Sequence, residues 1–136
     1  MYVAESKPIY NNKNKISSAK DVFNEVSELQ KEQKEHFIAI YLDGANRVLK
    51  KETVSVGTLN QSLVHPREVF RTGVMLNCAS IIVVHNHPSG VCKASEEDIV
   101  VTQRLREAGK ILGIELLDHL IIVEDGYLSL KEEIVF

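Results

Sequence analysis

Two histidines one residue apart, His85 and His87, open the stretch HNHPSGVCKASEED (85–98), which closes on Asp98 with Ser95 shortly before it. Two imidazole nitrogens and one carboxylate oxygen form a ligand set suited to zinc, and three protein ligands leave a fourth position for water. Zinc lowers the pKa of water to about 7, so this set can support hydrolysis at neutral pH. Other zinc chemistries lack their residues. There is no H-E-x-x-H, the helical zincin pattern, and no H-x-E with P-C-x-x-C, the deaminase pattern. Cys78 and Cys92 form no C-x-x-C pair. Cys92 lies between the histidines and Asp98, either as a loop thiol without a role or as a further, inhibitory metal ligand.

Three elements must position these residues. SIIVVHNH is a short β-branched apolar run, the pattern of a buried strand. Side chains two apart on a strand share a face, so His85 and His87 project together. Pro88 pushes His87 toward extended geometry, and Pro88-Ser89-Gly90 turns the chain. A helix is expected from about Glu96 to Leu112, with Val101, Leu105, Ala108 and Leu112 on one face. Asp98 then sits in a first turn near the strand end, able to point back at the histidines. The same S-x-x-D also reads as a capping box, with an acid placed favourably in the first turn. SAKD (18–21) repeats that pattern with no histidine near it. Ser95 and Asp98 by themselves therefore signal a helix start, and the H-x-H before them gives the metal reading its specificity.

The rest of the chain predicts a helix over 18–34, capped by Ser18 and burying Val22, Val26 and Leu29. Strands over 36–42 and 47–56 form a hairpin about DGAN. A second helix starts near Pro66 and runs through REVFRTGVMLNC, with His65 placed to cap it. IELLDHLIIVEDGYLSL returns to strands about a turn at EDG, and His36 and His119 fall in strand-like runs as packed or surface residues. The order predicts an α/β protein, a mixed sheet flanked by helices. Residues 1–15 are polar and asparagine-rich, an N-terminal arm before a single domain over 16–136.

The chain has 136 residues, enough to bury roughly two-thirds of its unfolded surface without a disulfide or structural metal. A net charge of -3 gives nucleic acid little to bind. Two cysteines are too few for a secreted disulfide framework, and no apolar run approaches the ~20 residues of a membrane span. A cytoplasmic protein is expected.

The spacing of His85, His87, Ser95 and Asp98 resembles the H-x-H-x(10)-D signature of the JAMM, or MPN-plus, zinc metallopeptidases. EHFIAIYLDGANRVLK, GTLNQSLVHPREVF, HNHPSG and LGIELLDHLIIVEDGYLSLKEE further resemble successive blocks of the C-terminal domain of the RadC family. That resemblance implies a JAB/MPN-like, cytidine-deaminase-like three-layer fold. It implies zinc on His85, His87 and Asp98, Glu35 as general base, Ser95 beside the developing oxyanion, and peptide or isopeptide substrates. Spacing does not select Glu35 among the acidic residues, and Glu68 is its nearest rival. Two departures stand out: Ala94 replaces the usual proline before the serine, and the helix-hairpin-helix region of longer RadC-like proteins is not seen. The second weakens any inference of DNA binding. Two other readings stay open: a DNA-repair or nucleic-acid-maintenance protein, with a metal-dependent nuclease as one form of it, and a metal-stabilised binding module without turnover.

Overall fold

Strands with apolar residues on both faces must be covered on both sides, and two central strands here have long apolar runs of that kind. The computed structural model describes residues 15–59, 64–133 and 136. In it β1 (His36–Leu42) is buried from Phe37 onward and β3 (Ser80–Asn86) throughout. They lie inside a five-stranded sheet of order β2-β1-β3-β4-β5, where β2 is Val48–Val56, β4 is Glu115–Val123 and β5 is Gly126–Ser129. All neighbours are antiparallel except β3 and β4. That parallel pair needs a crossover, which the helix α3 (Glu96–Leu112) supplies.

Alternation along the strands separates two cores. Phe37, Ala39, Tyr41, Ile81 and Val83 pack with Val69 and Phe70 of α2 (Pro66–Met75) and with Val101 and Leu105 of α3. Ile38, Ile40, Leu42, Ile82 and Val84 pack with Val22, Val26 and Leu29 on the opposite face. The result is the expected mixed sheet flanked by helices, in three layers. A last short helix, α4 (Leu130–Glu133), follows β5, beginning at the residue where the strand reading ended.

The single helix expected over 18–34 is instead two. The first, α1, is Ala19–Glu25, and a 3-10 helix spans Ser27–Lys31. Val26 leaves helical geometry at φ -123°, and its N–H donates to Phe23 O, three residues back. Apolar spacing fits either form, because Val26 and Leu29 meet the core equally well at three residues per turn. Lys51 on β2 holds the break by donating to the freed Glu25 carbonyl at 2.8 Å and to Glu28 Oε1 at 3.2 Å.

The hairpin forms as expected. Asp43 Oδ1 accepts from the N–H groups of Ala45 and Arg47, and Asn46 takes the left-handed φ of 60° that asparagine tolerates. His65 precedes α2 as expected but makes no side-chain cap; only its carbonyl accepts, from Glu68 and Val69. The expected arm over 1–15 lies outside the described residues except for Lys15, which bridges Arg47. Among the described residues no helix is long and apolar enough to cross a membrane.

Candidate metal centre

The β1–β3 register ends on the pair Phe37 and His85. Continued two residues further, it brings Glu35 and His87 to the same edge of the sheet. His87 lies just past β3 but stays extended, its N–H donating to Ile122 O at 2.8 Å. The rings of His85 and His87 stand edge-to-face, 5.0 Å apart. Both face the layer that holds α2 and α3.

Ser95 caps α3 through a full capping box: Asp98 N–H donates to Ser95 Oγ at 3.0 Å and Ser95 N–H donates to Asp98 Oδ2 at 2.8 Å. That box leaves Asp98 pointing at the histidines. His85 Nδ1 donates to Oδ1 at 2.9 Å and His87 Nε2 donates to Oδ2 at 3.0 Å. The capping and the ligand-like arrangements therefore coexist in one carboxylate. SAKD differs: Asp21 accepts from Ser17 N–H rather than from the Ser18 cap, and no histidine reaches it.

Asp98 is fully buried. Burial pushes its pKa up, but hydrogen bonds from His85 and His87, joined by the Ser95 backbone N–H, outweigh that and hold it far below the ordinary carboxylate range. His87 shifts the opposite way. Its bond to Asp98 raises its pKa, opposed by burial and aided by the carbonyl of Val91. Nδ1 lies 3.0 Å from Val91 O, which can only accept, so Nδ1 carries a proton and orients Nε2 toward Asp98.

Glu35 closes the other side. Its Oε1 lies 3.4 Å from His85 Nε2, a buried nitrogen with no hydrogen bond. The contact is an ion-pair approach without hydrogen-bond alignment. One ligand atom from each of Glu35, His85 and His87 lies within 4.8 Å of the others, so this trio can hold a metal ion. A buried imidazole nitrogen without a hydrogen-bond partner, beside the Glu35 carboxylate, suits a cation, and the nitrogen-oxygen donor set suits zinc. Asp98 is bonded to the same two histidines. The four residues thus offer two overlapping ligand sets, one completed by Asp98 and one by Glu35.

A cleft of about 930 Å³ opens over the group, lined among others by Glu35, His85, His87, Ser95 and Gly57–Leu59. Glu68 is outside that lining, exposed beside Arg67 at the start of α2. Cys92 is exposed and belongs to neither ligand set. Ser95 Oγ borders the cleft but donates to Asp98 Oδ2 at 2.8 Å.

Three residues with structural parts here carry no motif. A bulge at Leu117 lets His119 face α3, where its Nδ1 donates to Thr102 Oγ1 at 2.6 Å. Thr102 donates in turn to the carbonyl of Asp98 at 2.7 Å. The sequence signal was a threonine four positions after Asp98 and a histidine inside an apolar strand. The third is Asn86, between the histidines, whose side chain bonds both neighbours of Glu35.

A mixed sheet between helical layers, with two histidines at a strand end and a carboxylate at the next helix start, is the arrangement expected of a JAB-type domain. Sequence comparison agrees: the RadC-like JAB domain model matches residues 16–135, and the chain belongs to that family. It is 56% identical over 122 residues to a UPF0758 protein of Methanosarcina mazei, covering 89% of this chain and 53% of that protein. It is 52% identical over 122 residues to the UPF0758 protein of Methanococcoides burtonii, covering 89% and 53%. It is 58% identical over 99 residues to that of Geobacillus thermodenitrificans, covering 73% and 44%. The chain spans about half the length of these curated relatives.

Proposed function

We propose that this domain is a zinc-dependent hydrolase that cleaves amide bonds, with peptides or isopeptides as substrates. The observation that carries the reading is the convergence of His85, His87, Asp98 and Glu35 beneath one open cleft. His85, His87 and Asp98 would hold the ion. A zinc ion there would supply a Lewis acid that polarises a carbonyl and lowers the pKa of water to about 7.

The two carboxylates divide by environment. Asp98 has no exposed surface and is ionised, which suits a ligand whose charge a cation compensates. The Glu35 side chain is 24% exposed at the cleft, which suits a base that must meet water. Glu35 accepts a proton at a carboxylate oxygen and returns it to the leaving nitrogen. His87 keeps its Nδ1 proton on Val91 O and so presents Nε2 inward. Ser95 would donate to the developing oxyanion by turning its hydroxyl away from Asp98. That rotation leaves the backbone cap intact, because Ser95 N–H still holds Oδ2.

Metal content and turnover of Glu35→Gln and Asp98→Asn, measured side by side, test this reading. Glu35→Gln should keep stoichiometric zinc and lose hydrolysis of peptide and ε-linked isopeptide amides; Asp98→Asn should lose zinc. Zinc lost from Glu35→Gln but kept in Asp98→Asn would reverse the roles, making Glu35 the ligand and Asp98 the carboxylate that orients His85. The mutual closeness of Glu35, His85 and His87 is what favours that second assignment. Unchanged hydrolysis in Glu35→Gln would refute the mechanism.

A further inference from the structure

We propose that Asn86 is the positioning residue for Glu35. The inference rests on the reading of Glu35 as a functional carboxylate.

Glu35 lies beyond the last β1–β3 pair, where the backbone ladder no longer holds it. Asn86 replaces the missing rung. Its Oδ1 accepts from His36 N–H at 2.6 Å, and its Nδ2 donates to Lys34 O at 2.9 Å. On the far side Gly57 N–H donates to Glu35 O at 2.8 Å. Lys34 O belongs to the peptide unit before Glu35, and His36 N and Glu35 O belong to the one after it. Peptide units are planar, so fixing both fixes φ and ψ of the residue between them. The direction of the Glu35 Cα–Cβ bond is then set.

Asparagine is suited to this task. One neighbour presents only a donor and the other only an acceptor, and a carboxamide offers one of each in a planar fork. Aspartate keeps the acceptor and loses the donor. Asn86 is 2% exposed, so its bonds do not compete with water. Its backbone is the residue between His85 and His87. The link thus runs from the strand that carries both histidines directly to the backbone of Glu35. Asn86 itself faces the α1 layer, away from the metal-site face, and acts only through Glu35.

The test needs a signal that reports the Glu35–His85 contact without turnover. In zinc-free protein, imidazole ¹⁵N shifts of His85 are compared for wild type, Glu35→Gln, Asn86→Ala and the double variant, a double-mutant cycle. Glu35→Gln should move the His85 Nε2 signal in the wild-type background and leave it nearly unmoved in Asn86→Ala. The His36 amide should exchange at least about tenfold faster in Asn86→Ala while the Val83 amide keeps its protection. In zinc-loaded protein, kcat should fall by about 100-fold, as for other misplaced catalytic groups, with KM and zinc affinity within about threefold. If Asn86→Ala does not fold, Asn86→Asp serves the same cycle: it loses only the bond to Lys34 O, so the Glu35→Gln shift should again shrink while the His36 amide keeps its protection. An equal Glu35→Gln shift in both backgrounds would overturn the proposal. No hydrolysis even in the wild type would count against the hydrolase reading, and the shift cycle would still decide the role of Asn86.

Discussion

Ser95 and Asp98 hold each other in both directions at the start of α3, and the same Asp98 carboxylate receives both histidines. A helix cap and a metal-site carboxylate are one group. Folding of the helix therefore aims the carboxylate before any ion arrives, and substitutions can separate the two roles.

Ser95→Ala removes the Oγ that accepts from Asp98 N–H, and should cost about 1 kcal/mol of stability. Zinc should stay bound, while hydrolysis should fall by about 100- to 1000-fold if the hydroxyl serves the oxyanion. Ser18→Ala is the matched control: a similar stability loss by chemical denaturation, with zinc and turnover unchanged. Equal turnover in Ser95→Ala and wild type would remove the oxyanion role.

Zinc binding should raise thermal stability, because the folded site binds and the unfolded chain has no preformed one. At free zinc near 100 times Kd the gain is about 2.7 kcal/mol. Scanning calorimetry with and without chelator checks this. His85→Ala and Asp98→Ala should melt at the same temperature in both conditions.

Acid should destabilise the zinc-free protein partly through His119. Burial pushes its pKa down to about 3, with the nearby Asp98 opposing that shift. The unfolded chain binds a proton at His119 near pH 6.5 and the folded chain does not. The sign follows: stability falls as pH drops below about 6.5, by up to about 1.4 kcal/mol per pH unit, and levels off near the folded pKa. His87, with its raised pKa, works oppositely, its contribution fading as pH rises above 6.5. Urea titrations of wild type and His119→Asn between pH 5 and 7 isolate the slope, which should be shallower in the variant.

Gly109→Ala should destabilise even though alanine is the better helix former by up to about 1 kcal/mol. A Cβ at Gly109 would collide with the carbonyl oxygen of Ile114 and crowd Phe70 at 3.3 Å. Backbone cannot move aside as a flexible side chain can, so a net loss of about 1–3 kcal/mol is expected. An increase in the urea midpoint would show that α3 and β4 can separate at that point.

Most strands were legible because their residues alternate or run apolar without interruption. His36–Leu42 and α3 fall where the pattern places them. The helix over 18–34 failed at Val26, since apolar spacing does not distinguish 3.6 from three residues per turn. Lys51, distant in sequence, contributes to that outcome. The side-chain cap expected of His65 failed because a ring nitrogen did not reach the free N–H groups that its own carbonyl partly serves.

The sequence by itself determined that His85 and His87 share a face, that a turn follows, and that Ser95 and Asp98 start a helix. Each depends on interactions between residues close along the chain. Tertiary structure alone decided which acid stands opposite Asp98. Spacing does not select Glu35 over its nearest rival Glu68, but antiparallel pairing of β1 with β3 brings Glu35 to His85 and leaves Glu68 in solvent. It also decided that Asn86, silent as a motif, grips the backbone on both sides of Glu35. Contacts between residues fifty positions apart arise from strand register, and no local pattern encodes them.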